Sequence, residues 1–328
     1  MAIKSMKVLN IMAFHQKELD LQFGDGINIL IGENGMGKTT LLKMIYAALQ
    51  YSIENQTSGK ELIHFFSNNL KDFSQMKYPG KEKDTCYYEI SDGQHFFKDY
   101  LTKKNGIVSE GWKGLNIQSV FIPTTEMLSH SKGFLAMNQK YNMPFDETQI
   151  DIIVNASLPE TKKVSQSCEI ILKEISDVIN GKVVQEDDTF YIVKNDGRKI
   201  DFSLEAEGMR KLGLLWKLIR NGLLEKDSVL LWDEPEANLN PELYPLVANI
   251  LLALQKNGVQ IFLATHSYNF AKYLEIRRTE KEQVLIHNLY RNDLGKEIMS
   301  VSAYKMEDLE PNHIMMADNQ LLDEVYNM

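Results

Sequence analysis

Three apolar runs along the chain each end in polar residues, and this pattern predicts buried strands of a parallel sheet. The runs cover residues 27–31, 229–232 and 259–264. Strands buried on both faces read as unbroken apolar runs, and in such sheets ligands bind where the strands end. After the first run, apolar residues recur at helical spacing through residues 41–49. The pattern predicts an α/β fold with its chemistry at the strand ends.

The segment between the first run and this helix fits the phosphate-binding pattern G-x-x-x-x-G-K-[ST]. Glycines allow backbone N–H groups to surround phosphate oxygens, and the helix N-terminus adds partial positive charge. Lys38 is placed to reach the β- and γ-phosphates, and the Thr39 hydroxyl to ligate Mg²⁺. Strand, loop and helix in this order predict binding of ATP with Mg²⁺. The predicted nucleotide-binding residues are Gly32, Glu33, Asn34, Gly35, Met36, Gly37, Lys38, Thr39 and Thr40.

Polar residues at the ends of the other two runs predict hydrolysis. Asp233 would hold Mg²⁺ together with Thr39, and the adjacent Glu234 suits a general base that orients the attacking water. A helix cap followed by a first-turn charge is the alternative interpretation of two adjacent acids. His266, at the end of the third run, is placed to touch the γ-phosphate. The predicted catalytic residues are Lys38, Glu234 and His266.

On these motifs the chain resembles the ABC-type ATPases, in particular the soluble, non-transporter branch. That branch includes SMC-like and OLD-like proteins and ATPases of bacterial anti-phage and DNA-maintenance loci. The resemblance implies Walker A at residues 29–40, Walker B at 230–234, a D-loop at 236–241 and a switch histidine at His266.

The same resemblance implies the architecture. We expect a single ABC-type ATPase head over residues 1–328, with a mixed, mostly parallel P-loop sheet and an antiparallel β subdomain. A helical and β lobe is expected as an insertion at residues 130–200. Within this lobe, the pattern predicts a helix over residues 167–180 that is stopped by Gly181. Outside the lobe, a helix is predicted over residues 317–328 at the C-terminal end.

Two positions depart from the family pattern. Glu126 stands where the Q-loop glutamine is expected, and it is the third predicted Mg²⁺ contact, after Thr39 and Asp233. In the signature segment, Ala206 replaces the serine that would bind a γ-phosphate in the partner subunit. Gly208 and its helix N-terminus remain able to meet that phosphate, with Arg210 or Lys211 as the missing contact. A plain helix start with solvated basic residues is the alternative.

Composition narrows the class of protein further. The formal net charge is -9, and the short basic pairs at residues 103–104, 162–163 and 277–278 are interpreted as solvated surface. Cys86 and Cys168 lack the spacing of a zinc site or disulfide framework. No apolar run is long enough to cross a membrane, so we expect a cytoplasmic protein without membrane contact.

Together these observations predict an ATP-hydrolysing protein that forms a homodimer on binding ATP. We expect a nucleotide-gated sensor or regulator in anti-phage defence or DNA maintenance, with a separate effector such as a nuclease or toxin; DNA binding is possible. The alternatives are the ATP-binding subunit of an ABC transporter, a poorly hydrolysing nucleotide-gated module, and a stand-alone nuclease. Glu126 and Ala206 favour poor hydrolysis, whereas Glu234 and His266 oppose it.

Overall fold

The computed structural model describes residues 2–15, 17–53, 62–70, 73–81, 84–101, 106–141, 143–292 and 297–327. Within them the chain forms three sheets and eight α-helices. The strands are β1 (Ser5–Leu9), β2 (Leu19–Gln22), β3 (Ile27–Gly32), β4 (Tyr87–Ser91), β5 (Phe96–Tyr100), β6 (Ile107–Glu110), β7 (Ser119–Ile122), β8 (Gly181–Glu186), β9 (Thr189–Lys194), β10 (Lys199–Asp201), β11 (Val229–Asp233), β12 (Gln260–Ala264), β13 (Val284–Arg291) and β14 (Ile298–Ala303). The helices are α1 (Lys38–Tyr51), α2 (Phe134–Tyr141), α3 (Glu147–Ser157), α4 (Gln166–Ile179), α5 (Glu207–Arg220), α6 (Tyr244–Lys256), α7 (Tyr268–Arg277) and α8 (His313–Tyr326).

The central sheet carries the three predicted apolar runs. Its six strands follow the order β14-β13-β3-β12-β11-β7, and all neighbours are parallel except β14, which runs antiparallel at one edge. Every residue of β3, β11 and β12 is buried, as expected for strands covered on both faces. Because β3, β12 and β11 are neighbours, their polar ends meet at one edge. The predicted α/β class with a mostly parallel sheet is confirmed.

The second sheet is the antiparallel subdomain that the sequence predicts. Its order is β2-β1-β4-β5-β6. Buried and partly exposed residues alternate along β1 and β4, so one face of the sheet points to the core. Helix α1 packs between this sheet and the central one and is buried along most of its length, which fixes the helix that follows the phosphate-binding loop.

Helices α2 to α5 and the three-stranded sheet β10-β9-β8 form a lobe beside the central sheet. The predicted helix at 167–180 is confirmed as α4, but the residue that ends it is Asn180, in the left-handed conformation at φ 49°. Gly181 instead begins β8, where a Cβ would lie 2.2 Å from the carbonyl oxygen of Val193. The bounds 130–200 for the lobe stay a prediction, because α5 beyond them packs against α4 and α3.

The C-terminal helix begins earlier than predicted. It starts at His313 because the side chain of Asn312 accepts a hydrogen bond from the N–H of Met315 and caps it. None of its residues is buried. In the part of the chain that the structure describes, none of the helices has the length and apolar character needed to cross a bilayer.

Candidate nucleotide-binding site

The loop between β3 and α1 depends on two glycines. Gly32 has φ 140°, and a Cβ there would lie 2.3 Å from the carbonyl oxygen of Leu289 on the neighbouring strand. Gly37 has φ 82°, and its Cβ would lie 2.4 Å from the ring of Phe14. Both positions therefore exclude a side chain. Phe14, which the sequence leaves open between core packing and stacking on a nucleotide base, is a buried residue beneath the loop.

Lys38 lies at the centre of the loop. Its buried Nζ donates hydrogen bonds to the carbonyl oxygens of Gly32, at 2.7 Å, and Glu33, at 3.0 Å. Burial lowers the pKa of Lys38 to about 8, against the opposing effect of the carboxylates of Asp233, Glu234 and Glu236. A buried ammonium enclosed by carbonyl groups is stabilised by an anion, so the loop is arranged to bind phosphate.

Asp233, the last residue of β11, reaches the first turn of α1. The Thr39 hydroxyl lies 3.0 and 2.9 Å from its two carboxylate oxygens. The hydroxyl of Thr124, after β7, donates to the same carboxylate at 3.0 Å. Burial raises the pKa of Asp233, and the two hydroxyl donors oppose that shift. The structure thus brings the predicted Walker pair Thr39 and Asp233 together, and it adds Thr124, which the sequence reasoning missed.

Glu234 follows on the other side of the strand end. Its backbone has φ 48°, a left-handed conformation that costs a non-glycine residue about 1 kcal/mol. This turn separates the directions of the two adjacent carboxylates. Its Oε1 lies 3.7 Å from Nε2 of His266, and Nδ1 of His266 lies 3.4 Å from Nζ of Lys38. The three predicted catalytic residues therefore form one cluster.

The backbone of His266 is held in place by a carboxylate. Oε1 of Glu236 accepts hydrogen bonds from the Thr265 hydroxyl at 2.6 Å and from the His266 amide at 3.1 Å. Burial, together with the charge of Lys38, lowers the pKa of His266, which favours the neutral ring. Glu236 lies in the predicted D-loop, but its link to His266 joins residues 30 positions apart, and no local pattern reveals it.

Glu126 has a different set of contacts from the other predicted Mg²⁺ ligands. Its carboxylate accepts hydrogen bonds from the amides of Leu128, at 2.5 Å, and Ser129, at 3.2 Å, and pairs with the guanidinium of Arg210 at 3.3 Å. These contacts do not join it to Thr39 or Asp233. The Mg²⁺ role of Glu126 stays a prediction, and Thr124 is the residue after β7 that touches the Walker B acid.

The signature segment at the start of α5 is tied to its own chain. The buried Nζ of Lys211 donates to the carbonyl oxygens of Glu234, at 3.3 Å, and Ala237. Gly208 is buried, and a Cβ there would lie 3.2 Å from a methyl group of Leu239. The alternative interpretation, in which Lys211 is solvated, is wrong, because its amine is buried and donates to these two carbonyl oxygens. The contact of Gly208 with a γ-phosphate stays a prediction.

The donor set fits Mg²⁺. A threonine hydroxyl and a carboxylate supply hard oxygen ligands, and Mg²⁺ in phosphate sites is held by one or two such groups with phosphates and water. In the described part of the chain no group of three or more His, Cys, Asp or Glu side chains forms a metal cage. The site therefore suits a magnesium–nucleotide complex rather than a metal bound by protein alone.

Several known proteins are similar to this chain in sequence or in fold. The family described as "AAA domain, putative AbiEii toxin, Type IV TA system" matches residues 132–271. The DNA replication and repair protein RecF of Streptococcus uberis is 28% identical over 262 residues, which cover 78% of this chain and 67% of the relative. RecF of Clostridium kluyveri is 32% identical over 122 residues, 37% of this chain and 28% of the relative.

Solved structures extend the similarity to nearly the whole fold. An SMC head bound to the C-winged helix domain of ScpA has a TM-score of 0.58 at 14% identity, covering 92% of this chain and 98% of that chain. The SMC head domain from Thermotoga maritima has a TM-score of 0.52 at 17% identity, with 92% and 99% covered. At this identity the similarity shows the fold.

The chain is similar to soluble ABC-type, SMC-like P-loop ATPases in sequence and in fold.

The predicted resemblance is therefore confirmed, and the residues predicted as Walker A and Walker B lie together at one edge of the central sheet. Its match to RecF proteins is partial, since some of the relatives are covered over less than a third of their length. A shorter stretch of 65 residues is 37% identical to the arginine transport ATP-binding protein ArtP of Haemophilus influenzae, covering 20% of this chain.

Proposed function

We propose that this SMC-like head binds and hydrolyses ATP and forms a homodimer around two ATP molecules. The observation that carries the proposal is the convergence of Lys38, the Thr39–Asp233 pair and the Glu234–His266 pair at the ends of three neighbouring strands. A phosphate bound by Lys38 would lie beside both the hydroxyl–carboxylate pair and the glutamate–histidine pair. This arrangement suits phosphoryl transfer, in which catalysis is mostly positioning and charge stabilisation.

Each group has a distinct role in this account. The ammonium of Lys38 exchanges its loop carbonyls for phosphate oxygens, and Thr39 and Asp233 hold Mg²⁺, which when bound neutralises phosphate charge. Glu234 accepts a proton from the attacking water. His266, whose backbone amide donates to Glu236 and whose pKa is lowered by burial, donates a hydrogen bond from its ring to the γ-phosphate.

In the proposed mechanism Glu126 can bind Mg²⁺ only after its present contacts are broken. Contact with Mg²⁺ or the attacking water requires its carboxylate to leave the Arg210 guanidinium and the two amides that it now accepts from. Thr124 needs no such rearrangement, since its hydroxyl already touches Asp233. We propose that Thr124 supports the Mg²⁺ ligand Asp233 at all times. Glu126 is released from Arg210 only when α5 moves.

The arrangement of the second half of the site supports the proposed dimer. The D-loop and the start of α5 lie together on one surface, held by Lys211 and by a 2.8 Å hydrogen bond from Asn238 to Glu207. In the proposed dimer this surface of one chain, including Gly208, covers the phosphates bound to the other. ATP then stabilises the closed dimer and hydrolysis releases it, so nucleotide state selects between two populations.

We further propose that the two states regulate a separately encoded effector such as a nuclease or toxin. The family description refers to a toxin system, and the RecF relatives are named for DNA replication and repair. Both support a role in anti-phage defence or DNA maintenance rather than in transport, although the short match to ArtP keeps the transporter subunit as the alternative.

Steady-state ATP hydrolysis of three proteins tests the enzymatic part. The unmodified chain should hydrolyse ATP with Mg²⁺, and Glu234→Gln should bind ATP but lose about 10²- to 10⁴-fold in kcat. The exposed Glu242→Gln, at the start of the turn before α6, serves as the matched control. Normal turnover by Glu234→Gln would remove the glutamate from the mechanism. An inactive parent with tight ATP binding would instead establish the poorly hydrolysing module.

A second candidate function is contact with DNA, and one observation favours it. A cavity of about 490 Å³ in the lobe is lined by Lys162, Lys163, Lys173 and Arg220, with one acid, Glu169. Clustered cations of this kind bind phosphate groups, and such binding weakens steeply with salt. A relative named for DNA replication and repair adds support.

Fluorescence anisotropy with labelled duplex DNA at several salt concentrations tests this second function. Changing both Lys162 and Lys163 to Glu should abolish binding, whereas Glu at the exposed Lys281 and Lys305 should leave it intact. Equal loss in both pairs would indicate nonspecific charge, and no binding by the parent at low salt would reject the candidate.

A further inference from the structure

The side chain of Glu236 joins the turn after β11 to the residues that follow β12. Its Oε1 accepts a hydrogen bond of 2.6 Å from the Thr265 hydroxyl and one of 3.1 Å from the His266 amide. Thr265 is fully buried, and its hydroxyl also accepts a hydrogen bond of 2.9 Å from the amide of Ser267. A single carboxylate oxygen therefore holds the backbone of three consecutive residues, directly or through Thr265.

The backbone at residues 265–267 carries the ring of His266. Nδ1 of this ring is 3.4 Å from Nζ of Lys38, and its Nε2 is 3.7 Å from the carboxylate of Glu234. A shift of the backbone at these residues moves the ring relative to both groups. A displacement of about 1 Å at a reacting site can lower a rate about 100-fold. A group that fixes this backbone therefore affects catalysis without touching a reacting atom.

The turn that carries Glu236 is fixed from its other side by α5. The amine of Lys211 donates to the carbonyl oxygens of Glu234, at 3.3 Å, and Ala237, which flank Glu236 in the chain. The amide of Leu239 donates to the carbonyl oxygen of Glu236 at 3.0 Å. The carboxylate is thus presented to the end of β12 from a turn whose backbone is already hydrogen-bonded.

The two oxygens of the Glu236 carboxylate differ in their contacts. Oε1 accepts both hydrogen bonds, whereas Oε2 is buried and has no hydrogen-bond partner among the described residues. Burial raises the pKa of Glu236, and the hydrogen bonds from Thr265 and His266 oppose that rise. The negative charge also acts on Lys38, whose ammonium it stabilises. A glutamine keeps an acceptor oxygen in the place of Oε1 and loses the charge, so the two effects can be separated.

We propose that Glu236 is a positioning residue for ATP hydrolysis. By accepting hydrogen bonds from the Thr265 hydroxyl and the His266 amide, it holds the His266 ring within the cluster of predicted catalytic residues. The two hydrogen bonds carry this role, and the negative charge of the carboxylate is not required. The inference rests on the hydrolysis proposed above and adds to it a residue that touches neither the phosphate nor the attacking water.

Steady-state kinetics with ATP and Mg²⁺ test the proposal. Glu236→Ala should lower kcat about 10- to 100-fold and change KM for ATP less than about threefold, because the phosphate-binding loop is intact. Glu236→Gln should restore most of the loss, since its amide oxygen accepts the same two hydrogen bonds. Glu242→Gln, at an exposed glutamate before α6, is the matched control. A glutamine variant as slow as the alanine variant would assign the effect to charge and overturn the proposal.

Double substitutions test whether Glu236 acts through His266. In a His266→Ala background, Glu236→Ala should lower kcat further by less than about twofold, because the ring that it positions is gone. Thr265→Val should behave as Glu236→Ala does, and Thr265→Ser, which keeps the hydroxyl, should restore activity. A full additional loss in the His266→Ala background would overturn the proposal, since Glu236 would then act elsewhere.

The NMR signal of the His266 ring gives a readout that does not depend on turnover, and His266→Ala identifies this signal. The signal should shift in Glu236→Ala and stay near its parental position in Glu236→Gln and Glu242→Gln. An unchanged signal in Glu236→Ala would overturn the proposal even if activity fell. If the parent chain does not hydrolyse ATP but the signal shifts in Glu236→Ala, the hydrolysis proposed above is wrong and the positioning of His266 stands.

Discussion

The predicted Walker half and the predicted signature half of the proposed nucleotide site differ in what their charged groups contact. In the predicted Walker half, the ring of His266 lies next to both Lys38 and Glu234 at the sheet edge. In the signature half, Arg210 is paired with Glu126 and Lys211 is bound to carbonyl oxygens of its own chain. Lys38 contacts carbonyl oxygens of its own loop, Gly32 and Glu33, whereas the charges of the second half join α5 to the segments after β7 and β11.

The predicted signature segment of this chain thus departs from the family pattern and keeps a structural role. Arg210 and Lys211 link α5 to the residues after β7 and after β11. A movement of α5 therefore pulls on both sides of the Walker site. The missing serine at Ala206 affects contact with a second chain, and the links within the chain are unaffected by it.

The largest expected effect comes from Lys38→Ala. Removing the one buried cation of the loop's centre should weaken ATP binding at least about 100-fold, because charge-assisted bonds to phosphate are lost. Lys173→Ala, at an exposed lysine of the lobe, is the control. Isothermal titration calorimetry with ATP and Mg²⁺ gives both constants. Retained affinity in Lys38→Ala would contradict the assignment of the phosphate-binding loop.

Lys211→Met tests whether the contacts of Lys211 stabilise the folded chain. The change removes a buried amine from two carbonyl oxygens, Glu234 and Ala237, and should cost about 1–3 kcal/mol of unfolding free energy. Urea unfolding followed by circular dichroism measures this cost. Arg210→Met, on the same turn but less buried, should cost less. If Lys211→Met unfolds like the parent and loses only ATP-dependent dimerisation, then Lys211 acts on the partner chain.

The pH dependence of ATP affinity tests the charge state of Lys38. Burial has lowered its pKa to about 8 in the free chain, and phosphate should raise it again by stabilising the ammonium. Binding then takes up a proton above pH 8 and none well below it. Affinity should be constant from pH 6.5 to 7.5 and fall toward about tenfold per unit above pH 8. A flat profile up to pH 9.5 would show that burial does not shift the lysine.

Ala206→Ser should have the smallest effect. A restored hydroxyl at the start of α5 should tighten the ATP dimer about two- to tenfold, in proportion to one hydrogen bond, and leave unfolding unchanged. Ala206 is exposed, so the hydroxyl fits without repacking. A large loss of stability would contradict the exposed position of Ala206 and show that the residue is packed in the core.

Much of the fold was predictable because local pattern and tertiary position agree. The buried strands β3, β11 and β12 are mostly apolar, and α1 follows its loop directly. Strand β14 was not predicted, since it is a half-exposed edge strand without clear alternation. Helix α3 was also missed, although Asp146 and Gln149 form a capping box that the sequence displays.

The site divides in the same way. Lys38 and Thr39 follow from one contiguous motif, whereas the support of Asp233 by Thr124 spans 109 positions and that of Thr265 by Glu236 spans 29. Such pairs depend on which strands become neighbours in the sheet. The pairing of Glu126 with Arg210 is of this kind too, and no local pattern predicts it.

Light scattering of Glu234→Gln with and without ATP and Mg²⁺ tests the central claim most directly. The variant keeps Lys38, Thr39 and Asp233 for binding and lacks only the group proposed to activate water. We expect a monomer of 37.7 kDa without nucleotide and a stable dimer with ATP, which ADP does not support. A mass that is the same in all three conditions would contradict the composite site and, with it, the assignment of the signature half to a second chain.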